Sequence, residues 1–320
     1  MNAIRVYQPG APDVMRLEEI TDPIPGAGQV LVAIKAVGVN PVEAYIRAGT
    51  YPTKAPMPYT PGSDAAGIVR TVGSGVTAFK PGDRVYTAGT QTGAYAQLAL
   101  CNAAQVYPLP PNITFQQGAA INIPYATAWR AMFICGHAKP GETLLVHGAS
   151  GGVGIASVQI AKAAGMIVFG TAGTEKGLKL VTDEGADHVV NHTTPEYVKQ
   201  LMEMTQVRGF NMIVEMLANV NLNTDLGLLA KSGRVVVIGS RGPVQIDARQ
   251  TMGKDTSIIG MSLMHATPPE LHMIHSALGA GLANGSLRPV INRELPLSDA
   301  PKAHELVMGS AAHGKIVLIP

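Results

Sequence analysis

The sequence predicts an α/β protein in which a doubly wound parallel sheet is joined to an irregular β-barrel. Two observations carry that prediction. From about residue 124 onward short apolar strands alternate with amphipathic helices, whereas up to about residue 121 short apolar strands are broken by Pro and Gly. Within the alternating part, a β-branched strand ending at His147 runs into Gly148-Ala149-Ser150-Gly151-Gly152-Val153-Gly154 and then into an Ala-rich helix. Glycines at 151, 152 and 154 let the backbone turn tightly and approach a phosphate closely, and the helix behind them offers free N–H groups and the positive end of its dipole. A second strand follows at the spacing of a βαβ unit, so the turn is read as a dinucleotide pyrophosphate site.

The elements follow in order. Strands at 29–35, 67–72, 83–86 and 94–98 build the barrel. Sheet strands are expected near 143–147, 166–171, 187–191, 210–216, 233–238 and 257–262. Helices are expected at 152–164, 176–184, 195–205 and 221–230, several ending at Gly165, Gly185 or Gly233. That order implies right-handed parallel crossovers. A Pro-containing helix at 267–283 and an apolar strand at 315–319 close the chain, and the strand needs the barrel as its host sheet. The domains are therefore 1–123 with 264–320, and 124–263. No internal repeat or low-complexity linker interrupts them.

Composition narrows the function. At 320 residues and 46% hydrophobic, the chain can bury two moderate cores. With 24 basic against 22 acidic residues, a net charge of +2 and no run of like charge, nothing suggests a nucleic-acid groove or an anionic membrane surface. A small-molecule partner is expected. The start lacks the apolar stretch of a signal peptide and no later run is long enough to cross a bilayer, so a cytoplasmic location is expected. The two cysteines, Cys101 and Cys135, fit a reducing compartment and read as small buried hydrophobes.

Further segments carry a resemblance: Gly38-Val39-Asn40-Pro41-Val42-Glu43 through Tyr51, Pro61-Gly62-Ser63-Asp64-Ala65-Ala66-Gly67, Lys80-Pro81-Gly82-Asp83-Arg84-Val85, His147 to Gly154, Glu215-Met216-Leu217-Ala218-Asn219-Val220-Asn221 and Ile238-Gly239-Ser240-Arg241-Gly242. Essentially end to end, the chain resembles the zeta-crystallin-type quinone oxidoreductases of the medium-chain dehydrogenase/reductase superfamily. The resemblance implies a GroES-like catalytic domain, a Rossmann domain and a cleft between them that holds NADPH. Zinc-dependent relatives carry a Cys in the segment matching 38–43 and a His-Glu pair in the segment matching 61–67, where this chain has Asn40 and Ser63-Asp64. A tetrahedral zinc site needs converging Cys, His or carboxylate ligands. The structural-zinc cysteines are missing too, so a metal-free enzyme is expected.

The end of the second sheet strand, Gly170-Thr171-Ala172-Gly173-Thr174-Glu175-Lys176, places no acid at its tip for a ribose 2′-hydroxyl. Lys176 can reach a 2′-phosphate, and Gly173 admits the ribose; NADPH is favoured over NADH. Lys176 also fits a solvated first-turn residue, and the Arg that some relatives place near Ser310 is lacking. By resemblance the other cofactor contacts are Tyr45, Thr127, Ser150, Gly151, Gly152, Val153, Gly154, His192, Asn221, Ile238, Gly239, Ser240, Arg241, Met261, Ser262 and Leu263. His192, just past the third strand, can stack on a purine, and Arg241 follows the fifth strand at the carboxyl edge where ligands bind.

A quinone is already electrophilic, so its reduction needs orientation and donors for the charge developing on oxygen. Asn40, Tyr45 and Tyr51 are the catalytic candidates, two phenols and an amide from the segment that faces the nicotinamide in relatives. Packing of the barrel is the alternative reading for each. Two rival functions stand beside quinone reduction: a zinc-free enoyl or enone double-bond reductase on the same fold, and a crystallin-like structural or RNA-binding protein, which the near-neutral charge opposes. The apolar last strand of the sheet, in 257–263, would leave unpaired backbone groups in a monomer, so a homo-oligomer, dimer or tetramer, is expected.

Overall fold

The apolar runs that alternate with helices after residue 124 pair side by side, all parallel, into one six-stranded sheet. Its spatial order is His188–Asn191, Ile167–Ala172, Thr143–Val146, Phe210–Glu215, Leu229–Val237 and Ser257–Gly260. Parallel strands covered on both faces must be apolar throughout. Leu144, Leu145 and Val146, and beside them Met212, Ile213 and Val214, are accordingly 0% exposed. The order reverses between Thr143–Val146 and Phe210–Glu215, so the turns after these two strands flank the switch point at which such sheets bind ligands.

The computed structural model describes residues 1–52, 55–309 and 313–320. Ser310 lies outside the described residues. Two compact units emerge, Met1–Ile123 with Gly279–Pro320, and Pro124–Leu278. The chain thus returns to the first unit at Gly279, not at residue 264. The cause is local: the Arg130 guanidinium donates to the Ser262 carbonyl at 3.2 Å and lies 3.6 Å from the Glu270 carboxylate, tying this segment to the second unit.

In the second unit the four crossover helices run Gly152–Ala163, Glu175–Asp183, Tyr197–Met204 and Ala218–Leu228. Gly165 and Gly185 follow two of them with φ of 74° and 108°, as left-handed helix ends require. Gly233 does not serve this way. The fourth helix stops at Leu228, the strand begins at once, and Ser232 takes the positive φ, 59°. The last strand is shorter than expected and gives way to a 3₁₀ turn at Leu263–His265.

The first unit holds a seven-stranded sheet in the order Ile291–Pro296, Lys315–Ile319, Gln29–Gly38, Asp64–Val72, Arg84–Ala88 and Val106–Pro108, with Leu98–Asn102 on Gln29–Gly38. A hairpin of Asn2–Val6 and Met15–Glu19 accompanies it. The terminal strand finds its host as expected, pairing with Gln29–Gly38 and Ile291–Pro296. Of the strand expected at 94–98 only Leu98 lies in one, the observed strand Leu98–Asn102; before it Ala94 and Tyr95 bend, with Ile4 N–H donating to the Tyr95 carbonyl and Ala94 N–H to that of Pro61, and Ala96 bridges to Ala3. The helix Pro41–Ala48 carries no apolar stripe to announce it, because the face it buries is Glu43, Ala44 and Arg47. No described helix is long and apolar enough to cross a membrane.

Candidate functional site

In the second unit the strand Thr143–Val146 delivers His147 and the glycine turn to the carboxyl edge of the sheet. A Cβ on Gly154 would lie 2.4 Å from the Gly148 carbonyl oxygen and 2.6 Å from Ala149 Cα, so the turn closes only with glycine there. Gly151 precedes the helix Gly152–Ala163, whose first N–H groups have no partner within the helix and suit an anion. The second strand ends at Ala172, and Thr174 Oγ1 caps the next helix by accepting Gly177 N–H at 3.1 Å. A Cβ on Gly177 would sit 3.3 Å from Ser150 Oγ, which shows how closely the two turns approach. His192 lies against Gly173, where an added Cβ would be 2.9 Å from its Nε2. Lys176 is exposed in the first turn of the helix.

The other turns at this edge are stitched together through backbone. The Glu215 carbonyl accepts Ile238 N–H at 2.9 Å, Ala218 N–H donates to the Gly239 carbonyl at 2.9 Å, and Arg241 N–H donates to Asn219 Oδ1 at 2.8 Å. Ser240 Oγ donates to the Gly242 carbonyl at 2.8 Å. Met261 N–H reaches the Val237 carbonyl at 3.0 Å, and Leu263 opens the 3₁₀ turn just beyond Ser262. Asn221 donates its amide to the Glu215 carboxyl. Thr127 is buried at the head of the short helix Thr127–Trp129, which packs on Gly152–Ala163.

One group here escaped the sequence reading. His147, Glu215 and Asp225 converge beneath the turns, none more than 4% exposed. His147 Nε2 is 2.9 Å from Asp225 Oδ1 and 3.8 Å from Glu215 Oε2. Burial and the neighbouring Asp225 charge push the Glu215 carboxyl up to about 7, against the pull of His147.

In the first unit the three catalytic candidates differ. Asn40 is 2% exposed and its amide is fully used. Its Nδ2 donates to Asp64 Oδ2 at 3.1 Å and to Glu43 Oε1 at 3.3 Å, and its Oδ1 accepts from the Lys315 ammonium. Asn40 therefore organises its surroundings and has no donor left for a substrate. Tyr45 and Tyr51 are half-buried, and among the described residues neither hydroxyl makes a hydrogen bond. Both phenols are available.

Around Asn40 lies a cluster that the sequence concealed. Lys315 Nζ sits 3.6 Å from Asp64 Oδ2, and Asp64 also accepts from Asn122 Nδ2 at 2.9 Å and from Ile123 N–H. Glu43 Oε2 accepts from the Tyr95 hydroxyl at 2.8 Å, that oxygen is 3.0 Å from His304 Nε2, and Arg47 Nε donates to His304 Nδ1 at 3.3 Å. Burial and the Asp64 charge push Glu43 up to about 7, while burial and the Arg47 charge pull His304 down to about 4. The neutral imidazole then accepts from Arg47 and donates to Tyr95, so every donor has one acceptor along the line.

Two family models match the chain: the alcohol dehydrogenase GroES-like domain over residues 26–111, and zinc-binding dehydrogenase over 152–276. The residues do not fit the catalytic zinc that the second description implies. Asn40 and Asp64 have an ammonium between them, where a metal would meet repulsion. His147, Glu215 and Asp225 are the one set of three His, Cys or acidic residues that converges among the described residues, and all three are buried. A quinone oxidoreductase of Pongo abelii is 50% identical over 321 residues, covering 100% of this chain and 98% of its own. Among solved structures, an NAD-dependent alcohol dehydrogenase superposes with a TM-score of 0.92 at 28% identity, covering 100% of both chains. The quinone oxidoreductase of Escherichia coli, solved with NADPH, superposes with a TM-score of 0.90 at 31% identity, again covering 100% of both. Half the residues identical from end to end, on this sheet order and this glycine turn, settle the affiliation: the chain belongs to the quinone oxidoreductase family of the medium-chain dehydrogenase/reductase superfamily.

Proposed function

We propose that this protein is a zinc-independent NADPH:quinone oxidoreductase of the cytoplasm, acting as a homo-oligomer. The observation that supports the reading is the close approach of Gly177 to Ser150 of the glycine turn and of His192 to Gly173 at the carboxyl edge of one parallel sheet, with Lys176 exposed beside Gly177 and no carboxylate on the strand tip. When bound there, NADPH supplies the reducing equivalents. The turn from Ser150 to Gly154 receives the pyrophosphate, Lys176 the 2′-phosphate and His192 the adenine. Asn221, the segment Ile238 to Arg241, and Met261, Ser262 and Leu263 line the rest of the cofactor, with Thr127 behind them. The hydroxyls of Tyr45 and Tyr51 orient the quinone and donate to the oxygen on which charge develops. Asn40 holds the helix that carries Tyr45 in place through Glu43 and Asp64. Zinc independence is supported by Lys315, whose ammonium supplies the positive charge of that pocket. Free Cys101 and Cys135 suit a reducing compartment. The exposed edge strand Ser257–Gly260 offers its backbone to a second copy.

The test is a panel of quinones, enones and enoyl thioesters assayed with NADPH and with NADH. Turnover of quinones with NADPH is expected. Turnover confined to activated double bonds would replace this reading with a double-bond reductase, and salt-sensitive RNA retention without any turnover would replace it with a binding protein.

A further inference from the structure

The buried group of His147, Asp225 and Glu215 has no part in holding or reducing a substrate, yet it is linked by hydrogen bonds to three turns of the cofactor edge. His147 immediately precedes the glycine turn. Its Nδ1 lies 3.4 Å from Thr171 Oγ1, and that hydroxyl oxygen accepts the N–H of Gly148, the first residue of the turn, at 3.3 Å. Thr171 also stands two residues before Gly173, and its carbonyl accepts Ala149 N–H at 2.8 Å. On the other side, the Glu215 carboxyl accepts the Leu217 N–H and both of its oxygens receive the Asn221 amide. The backbone carbonyl of Glu215 holds Ile238 N–H and, at 3.3 Å, Gly239 N–H. Asp225, from the helix that starts at Ala218, closes the group by pairing with His147 Nε2 at 2.9 Å.

We propose that His147, Asp225 and Glu215 form one proton-holding positioning unit that sets the glycine turn, the 217–221 turn and the 238–239 turn in register for the dinucleotide. This rests on the cofactor assignment made above. The geometry asks for such a unit: two carboxyls at 0% exposure share one imidazole, and among the described residues no Lys or Arg pairs with either. The other titratable groups facing them are Tyr197 on the helix Tyr197–Met204 and His192 after the third strand. Two like charges in a dry pocket hold a proton that each alone would release. Asp225 Oδ2 is buried and makes no hydrogen bond. Burial alone would lower the proton affinity of His147, but the hydrogen bond and charge of Asp225, with Glu215 beyond, raise it. Glu215 is held up near 7, so the proton leaves as pH rises through neutrality and adds a buried negative charge under an anionic ligand. Dinucleotide affinity should therefore weaken above neutral pH.

The experiment measures NADPH and NADH dissociation constants by nicotinamide fluorescence between pH 5.5 and 8.5, on the wild-type chain, Glu215→Gln and Asp225→Asn. NADH lacks the 2′-phosphate, so an inflection shared by both ligands belongs to the protein. We expect a one-proton rise in Kd for both, roughly tenfold over the range. Glu215→Gln should keep the acid-pH affinity and flatten the profile. Asp225→Asn should bind both ligands more weakly at every pH, and in ¹⁵N NMR of the cofactor-free protein the His147 titration should move to lower pH. A flat wild-type profile overturns the proposal and leaves the cofactor assignment standing, as does an unchanged inflection in Glu215→Gln. Failure of the wild type to bind either dinucleotide at any pH overturns both. Should either variant fail to fold, a flat wild-type profile still overturns the proposal, and the other variant decides whether an inflection belongs to this group.

Discussion

Lys315→Met removes a buried ammonium without emptying its space, and the structure sets the size of the consequence. Lys315 is 5% exposed and Asp64 1%, so neither charge has water to fall back on. At 3.6 Å and an effective dielectric of about 20 their attraction is roughly 4 to 5 kcal/mol, and breaking a buried pair by deleting one partner typically costs about 3 to 5 kcal/mol. The variant also strips Asn40 of the donor on its Oδ1. At about 2 to 4 °C per kcal/mol for a unit of this size, the thermal midpoint should fall by roughly 6 to 20 °C. Circular dichroism melts at fixed protein concentration read this directly. The double variant Lys315→Met with Asp64→Asn removes both charges and should recover most of the loss. A single variant within about 1 kcal/mol of the wild type, or a double variant that melts lower still, would refute the view that Lys315 is the counter-charge of this pocket.

Lys176→Ala should lose about 1.5 to 3 kcal/mol of NADPH binding, tenfold or more, with NADH unaffected; equal losses for both would remove Lys176 from the 2′-phosphate. Tyr45→Phe should lower kcat and kcat/KM together, by about 1 to 3 kcal/mol in barrier, while the melting temperature holds; wild-type kinetics in a folded variant would leave the role to Tyr51. Prolonged EDTA treatment should cost no quinone turnover, and a loss restored specifically by zinc would contradict the reading of Asn40, Asp64 and Lys315. Light scattering at micromolar concentration should show an oligomer, since Ile258 is 38% exposed on an open sheet edge; a monomer would refute the pairing of Ser257–Gly260.

What the sequence determined by itself was local. The glycine turn, the alternation of strand and helix after residue 124 and the apolar strand at the end of the chain each express a backbone requirement or a periodicity, and those are written in neighbouring residues. The strand at 94–98 was misplaced because Ala94-Tyr95-Ala96 are buried by distant segments, which apolar composition alone cannot distinguish from pairing in a sheet. The helix Pro41–Ala48 went unseen because its buried face is polar. Only the tertiary structure decided which polar groups share an interior. Lys315 meets Asn40 across 275 positions of chain, His304 meets Tyr95 across 209, and Asp225 meets His147 across 78. A buried charge is tolerated only beside its compensating partner, and folding, not spacing along the chain, supplies that partner.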